Sequence, residues 1–598
     1  MSTQPANARQ PASAHDLIRV STLEELKSAG VKVVQGLDRP VAVYCHDGEV
    51  SAVDNRCPHL GFPLSRGSVK DGILTCHWHQ ARFDLCSGCT FDLWADDVPR
   101  YRSIVRDGDV YVSAEPEHRE DTAHHLRRLE KGLQQNISLI QGKSLLGLLR
   151  HGMGATEILR EITRFACRFE NRTGLVELAI AGRLFPVLNE ETAYFALLRA
   201  ARVVATSANG PIQTLREPLE GADYSYATLK NWMRQWSRAR HRDGAERVVR
   251  TAIRQSCTPA QLTDLLVGVE TDRIYSAQGH TLDAINKHFE LLDLIGWEHA
   301  GEVLPLLART IVQSRGAEEE AEWYHPIELI PPLRALEREL PGLLAAPRAS
   351  DWQAPADITA TLLGEDPLRL LNALKDALKA GAPPAELAKQ VCYAAALRLA
   401  RFSANNEVGD WFNPQHTFNY ANAVHQTIKR APTPDVVRGL FHAALAVYHD
   451  RFLNVPAAAL PGERHDGLDQ LPSDADALRK GFLESLDQRA NVNAAARYAA
   501  RYVRLGHPLE ALFDTLALAT VRENLDFHTL QVLEDGFTQC REWGGSGPQV
   551  EHILVGVVRD LAAFCPTARA PHHTATIALR LYRGEKLYED EAEHHAAD

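Results

Sequence analysis

No stretch of eighteen consecutive apolar residues occurs anywhere in the 598-residue chain, which excludes a membrane-spanning helix of ordinary length. Residues 1–15 (MSTQPANARQPASAH) contain no apolar core of the kind a signal peptide needs, and they read as a disordered N-terminus. Basic residues form no long run and the formal net charge is −12; neither nucleic acid nor an anionic membrane surface is an expected partner. No G-x-G-x-x-G follows a strand-like run and no Walker A string is present, so the chain carries no recognisable nucleotide site. No Ser-His-Asp or Cys-His arrangement has local support. The ten cysteines are scattered and imply no disulfide framework.

What is present is one stretch, Cys57 to His79, reading CPHLGFPLSRGSVKDGILTCHWH. It holds two ligand pairs, Cys57-x-His59 and Cys76-x-x-His79, separated by sixteen residues. Two Cys and two His also suit tetrahedral zinc. Zinc fingers, however, pair Cys with Cys and His with His, whereas each loop here supplies one of each. Two thiolates on one iron and two imidazoles on the other is the ligand set of a Rieske [2Fe–2S] cluster. Pro58, Leu60, Gly61 and Pro63 suit loops whose backbone amides point at sulfur. On these residues the segment from about 41 to 112 resembles the Rieske ferredoxin family.

That resemblance implies a [2Fe–2S] cluster on Cys57, His59, Cys76 and His79, with His77 pointing elsewhere. Membrane-anchored members of the family carry an N-terminal hydrophobic helix, and its absence points to the cytoplasm. High-potential members add a disulfide between the loops, and Ser and Tyr hydroxyls just after the second His. Here Phe62 and Trp78 stand where the extra Cys would be, and Gln80-Ala81-Arg82-Phe83 offers no hydroxyl. The implied cluster is of the low-potential type.

Residues 16–115 read as β. Val31–Val34, Val41–Tyr44 and Val50–Val53 are short β-branched runs, and Tyr101–Val105 with Val110–Ser113 forms a closing hairpin. Asp47-Gly48, Asp71-Gly72 and Asp107-Gly108 are turn signals. The expected fold is a small antiparallel barrel or sandwich with the ligand loops at one tip. Cys86-Ser-Gly-Cys89 has no free partner pair nearby, so a turn with two incidental thiols is favoured over a redox pair or metal half-site.

Residues 116–124 are polar and read as a linker. Residues 125–598 read as all-helical, giving an α+β multidomain chain. The helical part repeats itself. His-Thr occurs at His280, His416, His528 and His573, and the first three follow Pro259, Pro384 and Pro508 by 21, 32 and 20 residues. Each Pro opens an apolar helix, and another apolar helix follows each His-Thr. These are about three degenerate units, near 245–345, 365–460 and 475–565. The extra residues of the middle unit, within 403–415, read as a loop.

Twenty of the 26 histidines lie from His124 onward, which suggests a second metal centre, iron foremost. His280/His288 and His442/His449 are too far apart along a helix to chelate one ion. Glu322-x-x-His325 is the only copy of the di-iron motif in the helical half short of the tail, and a weak one; Glu115-x-x-His118 in the linker and Glu591-x-x-His594 in the charged tail read as solvated. If the three units stack around one axis, His280, His416 and His528 occupy equivalent places and converge, with His442 or His449 as a further ligand. The competing account is that His-Thr is a helix-entry signature with Thr as N-cap. The D-x-x-H-x-x-x-x-H string of Rieske oxygenases is missing, so the usual mononuclear-iron domain is not expected.

Two function classes follow. In the first the protein is an oxidoreductase. A Rieske cluster accepts single electrons from an external reductase or ferredoxin and relays them to a metal or small-molecule substrate site in the His-rich helical domain, an oxygenase being one such reaction. In the second it is a non-enzymatic electron carrier or redox sensor whose helical domain binds a partner protein. Metal content of the helical part separates them.

Overall fold

The computed structural model of the protein describes residues 17–585 apart from 38, 118–120, 346, 348–351 and 490, together with residue 587; residues 1–15, read as disordered, lie outside the described residues. The chain divides into two compact units, one comprising residues up to Met153 together with those from His573, the other Gly154–His572.

The first unit is built on nine strands: β1 (Leu17–Thr22), β2 (Val31–Val34), β3 (Val41–His46), β4 (Glu49–Asp54), β5 (Ser68–Lys70), β6 (Ile73–Thr75), β7 (Arg82–Asp84), β8 (Arg100–Arg106) and β9 (Asp109–Pro116). Six form an antiparallel sheet in the order β1-β9-β8-β4-β3-β2, and β5-β6-β7 form a second, three-stranded sheet. All three Asp-Gly pairs turn hairpins with positive φ at both residues, as a type I′ turn requires. Strand β3 is buried on both faces. Val41 and Val43 join Ala52, Val110 and Val112 on one side, while Ala42 and Tyr44 join Val53, Cys57, Cys76 and Phe83 on the other. The second of these cores holds the ligand loops.

The boundary between the units falls after Met153, not in the polar stretch 116–124. Strand β9 runs to Pro116, and the helix Thr122–Gln134 begins at once with Asp121 as its N-cap; residues 118–120 lie outside the described residues. Arg128 on that helix donates to Asp96 Oδ1 at 2.5 Å and to the Ala95 carbonyl at 2.9 Å. This pair ties the helix to the β unit.

The second unit is helical, and among the described residues no helix is long and apolar enough to cross a membrane. Helices begin at the expected prolines: Pro259–Glu270, Pro384–Ala400 and Leu509–Val521, the last with Pro508 at its N-cap. They precede the three His-bearing helices His280–Ile295, Phe412–Arg430 and Phe527–Glu542. Two sequence expectations are corrected. The middle helix starts at Phe412, inside the stretch read as loop through Gln415, because Trp411 is buried against Phe402 at 4.8 Å and anchors the entry. Thr281, Thr417 and Thr529 lie within their helices and are not N-caps; Gly279, Trp411 and Asp526 hold that place.

Candidate metal centres

The two ligand loops of the first unit are built alike. In the first, Cys57 N–H donates to the Phe62 carbonyl and Gly61 N–H to the Cys57 carbonyl, both at 2.8 Å. In the second, Cys76 N–H donates to the Ala81 carbonyl at 2.8 Å and Gln80 N–H to the Cys76 carbonyl at 2.9 Å. The fifth residue of each loop is left-handed, Gly61 at φ 84° and Gln80 at φ 64°. Glycine adopts this freely; for glutamine it is strained and is held by the closed turn.

Both cysteines are buried, at 3% and 1% exposure. The amides of His59 and Leu60 reach Cys57 sulfur, and those of Trp78 and His79 reach Cys76 sulfur. Accepting from Cys57 and from these amides pulls Cys76 down to about 6, toward the thiolate that metal binding needs. Burial, aided by Lys143 and His79, pulls His59 down to about 4, keeping its imidazole neutral. His59 and His79 meet edge to face, with centroids 4.8 Å apart. His77 turns away, its Nε2 lying 2.9 Å from Ser68 Oγ.

Two orphan atoms test the fit of a cluster. His59 Nδ1 and the Tyr44 hydroxyl are buried without a hydrogen-bond partner among the described residues. An unpaired imidazole nitrogen beside two amide-surrounded thiols is the donor set of a mixed Cys/His cluster. Tyr44, from β3, shares the buried core of Cys57 and Cys76. Reasoning confined to the residues after His79 missed this hydroxyl; a Tyr in a β-branched strand reads as ordinary core. A hydroxyl donated to a cluster sulfur raises its potential. Tyr44→Phe is therefore expected to lower the midpoint potential in a redox titration, and an unchanged potential removes Tyr44 from the cluster's surroundings. Lys143 on the helix Ser138–Arg150 donates to the Pro58 and His59 carbonyls, the latter at 2.8 Å, and so clamps the first loop. Cys86 and Cys89 are exposed free thiols in a turn around Asp84, whose Oδ2 accepts from Ser87 N–H at 3.0 Å.

Two amide-wrapped Cys/His loops on an antiparallel β unit define an iron–sulfur electron-transfer domain. The Rieske [2Fe–2S] domain family matches residues 16–101, and the chain belongs to that family through this domain; the helical remainder carries no family match. The chain is 35% identical over 100 residues to the 3-phenylpropionate/cinnamic acid dioxygenase ferredoxin subunit of Photorhabdus laumondii, covering 16% of this chain and 94% of that protein. It is 32% identical over 71 residues to the ferredoxin component of the naphthalene 1,2-dioxygenase/salicylate 5-hydroxylase systems of a Ralstonia species, covering 12% and 68%. It is 42% identical over 66 residues to the 4beta-methylsterol monooxygenase of Methylococcus capsulatus, covering 11% and only 18%.

The second unit brings His280, His416 and His528 together. One nitrogen from each lies within 4.8 Å of the others, and His280 Nε2 is 3.0 Å from His528 Nε2. Two ligands at right angles on a metal 2.1 Å away are separated by about the same distance. The outer nitrogen of His280 is held, its Nδ1 lying 2.7 Å from the Ala277 carbonyl; His528 Nδ1 lies 3.2 Å from Asp526 Oδ1 but makes no hydrogen bond among the described residues. Such an outer acceptor fixes the tautomer that turns the His280 Nε2 lone pair inward. Burial, reinforced by its two neighbours, pulls His416 down to about 3, so that ring is neutral. Its Nε2 has no hydrogen-bond partner among the described residues.

The Ala277 carbonyl is placed at a cost. Tyr275, Ala277 and Gln278 are left-handed at φ 42°, 49° and 54°, followed by Gly279 at 88°. A Cβ on Gly279 would stand 2.8 Å from Tyr420 Cβ, so only glycine fits. Strain concentrated against a histidine cluster is typical of sites where geometry is imposed.

The other sequence candidates go elsewhere. His442 is buried 2.8 Å from Glu337 Oε1, and His449 packs on Trp323 at 4.7 Å. Glu322 and His325 are both exposed and belong to no metal-holding group among the described residues. His573 lies within the helix Ala570–Tyr582 and is not part of the group.

Behind the three histidines Gln415 Nε2 donates to Asp560 Oδ2 at 2.9 Å. Asp560 is fully buried, and burial raises it to about 8. The folded protein therefore keeps a proton that the unfolded chain releases above about pH 4, so stability is lost as pH rises from there toward 8. Asp560→Asn mimics the protonated acid. Its thermal midpoint should fall less between pH 6 and pH 9 than the parent's, by a few degrees; equal falls would show that Asp560 is ionised in the fold.

Proposed function

We propose that the protein is an iron–sulfur oxidoreductase that accepts single electrons at a [2Fe–2S] cluster on Cys57, His59, Cys76 and His79 and delivers them to a metal, iron foremost, held by His280, His416 and His528. When bound, the cluster supplies one-electron transfer. The chain's own residues exclude water from both cysteines, keep His59 and His416 neutral, and hold the outer nitrogen of His280. The observation that carries the reading is the meeting of three imidazoles from three separate helices. Three protein ligands with no fourth among the described residues leave coordination positions for a small-molecule substrate or oxygen, the pattern of catalytic rather than structural sites. The electron donor is a separate reductase or ferredoxin, and eight thiols beyond the two cluster ligands, none in a disulfide among the described residues, suit the reducing cytoplasm. Ferredoxin relatives named for dioxygenase systems support this electron-transfer role.

Metal analysis of the full-length protein tests it. We expect iron, or another transition metal, beyond the two irons of the cluster. His416→Ala should lose only that extra metal and keep the cluster's visible spectrum. A parent protein with cluster iron alone would overturn the second site and favour an electron carrier or sensor whose helical unit binds a partner protein.

A further inference from the structure

A cavity of about 480 Å³ in the helical unit is lined by six arginines and two carboxylates. It lies where the helices Tyr226–Arg238 and Pro259–Glu270 end, beside Ile330–Ala345 and Pro434–His449. Three of the arginines are pinned. Arg234 Nε lies 3.1 Å from Asp272, Arg438 lies 2.6 Å from the same carboxylate, and Arg334 donates to Glu337 at 2.8 Å. The other three are not neutralised in this way. Arg273 donates to the Ile311 and Ser237 carbonyls, both at 3.1 Å; the carboxyl its charge acts on is Glu270, which burial raises to about 8. Arg238 reaches Asp272 only at 3.9 Å, and Arg338 is exposed and makes no ion pair among the described residues.

Asp435 and Glu318 stand behind the wall, 2.7 Å from Arg234 and 3.6 Å from Arg334. Counting them, cations still exceed anions by two, in a chain whose net charge is −12. Capping of helix-end carbonyls accounts for Arg273 and for Arg334, which also donates to the Asp272 carbonyl at 2.9 Å. It accounts for neither Arg238 nor Arg338. A second observation points inward: Ser237, only 3% exposed, lines the cavity, and its hydroxyl has no partner among the described residues.

We propose that this cavity binds a small dianion, a phosphate ester or a dicarboxylate. Arg273, Arg338 and Arg238 would grip its oxyanion groups, and Ser237 Oγ would donate a hydrogen bond. Arginine forks match phosphate and carboxylate alike, the volume suits a small metabolite, and the excess of two cations matches two negative charges. The site is independent of the three-histidine centre.

Calorimetric titration of the full-length protein with inorganic phosphate and with succinate, at ionic strength held constant with KCl, tests it. Saturable one-to-one binding of phosphate alone identifies a phosphate ester as the ligand class, and of succinate alone a dicarboxylate; binding of both shows an unselective dianion site. Arg338→Gln, which breaks no contact of the fold, and Arg273→Gln should each weaken binding about tenfold, one charge-assisted hydrogen bond. Arg479→Gln, on another surface, should leave it unchanged. No saturation by either anion, or full affinity in both Arg338→Gln and Arg273→Gln, overturns the proposal.

Discussion

Cys57→Ser should abolish the visible absorption of the iron–sulfur cluster, while His77→Ala, two residues from His79, should keep it in full. The contrast is large because the four ligands are not interchangeable with their neighbours. Cys57 is almost completely buried, accepts from two backbone amides and sits against Cys76. A serine hydroxyl is a poor iron ligand where a thiolate is wanted, and the buried loop offers no replacement. His77 is exposed and engaged with Ser68, so its removal touches neither the sulfurs nor the two ligand imidazoles. His79→Ala should behave like Cys57→Ser. Absorption and electron paramagnetic resonance of the reduced protein read the result. A cluster spectrum surviving in Cys57→Ser, or disappearing in His77→Ala, would show that the ligands are misassigned.

Much of the first unit was legible because its signals are local. Asp-Gly pairs between β-branched runs dictate left-handed turns, and all three are hairpins in the fold. The Cys-x-His and Cys-x-x-His spacing carries the family by itself. The Asp71-Gly72 turn marked the β5–β6 hairpin, but the bounds of β5, β6 and β7 were not legible, since three residues each are too few for an alternating pattern to show. Gln80 carries no mark of a left-handed residue; only the parallel with Gly61 at the same place in the other loop reveals its role. In the helical unit the His-Thr register pointed to three helices whose histidines meet, yet it suggested a wrong capping role for the threonines. Their true surroundings depend on contacts more than a hundred residues away, as between Gln415 and Asp560, and no local pattern records such a pairing. The polar stretch likewise gave no sign of the Arg128–Asp96 pair, 32 residues apart in the chain, which ties the first helix to the β unit.

The least legible feature is the charged interior of the helical unit, and it supports the other large prediction: Lys287→Met should cost about 3–5 kcal/mol of stability near neutral pH. Lys287 is fully buried and its ammonium donates to Glu290 Oε2 at 2.9 Å, to Asp535 Oδ1 at 2.8 Å and to Glu534. Arg183 adds a second cation 2.8 Å from Glu534. Asn422 donates to Asp535 at 2.7 Å, and Gln539 donates to Asn422 at 2.7 Å. Burial, with Glu534 beside it, pushes Asp535 well above the usual carboxylate range. Lys287 and Arg183 hold Glu534 below that range despite its burial. Two cations thus stand against these acids, and methionine would leave them with one cation between them. Those acids would then take up protons to fold. In the parent, the stability from the depressed Glu534 is present above about pH 4.5 and is lost as pH falls below it. In Lys287→Met the carboxyls left behind are raised instead, and their stability is lost as pH rises. The gap between the two proteins should therefore narrow from pH 8 toward pH 5 in denaturant unfolding. Lys480→Met, which removes an exposed pair 3.8 Å from Glu484, should change little at any pH. A Lys287→Met protein as stable as the parent at pH 8 would mean that the acids around it are already protonated and that the ammonium contributes no charge pairing to the fold.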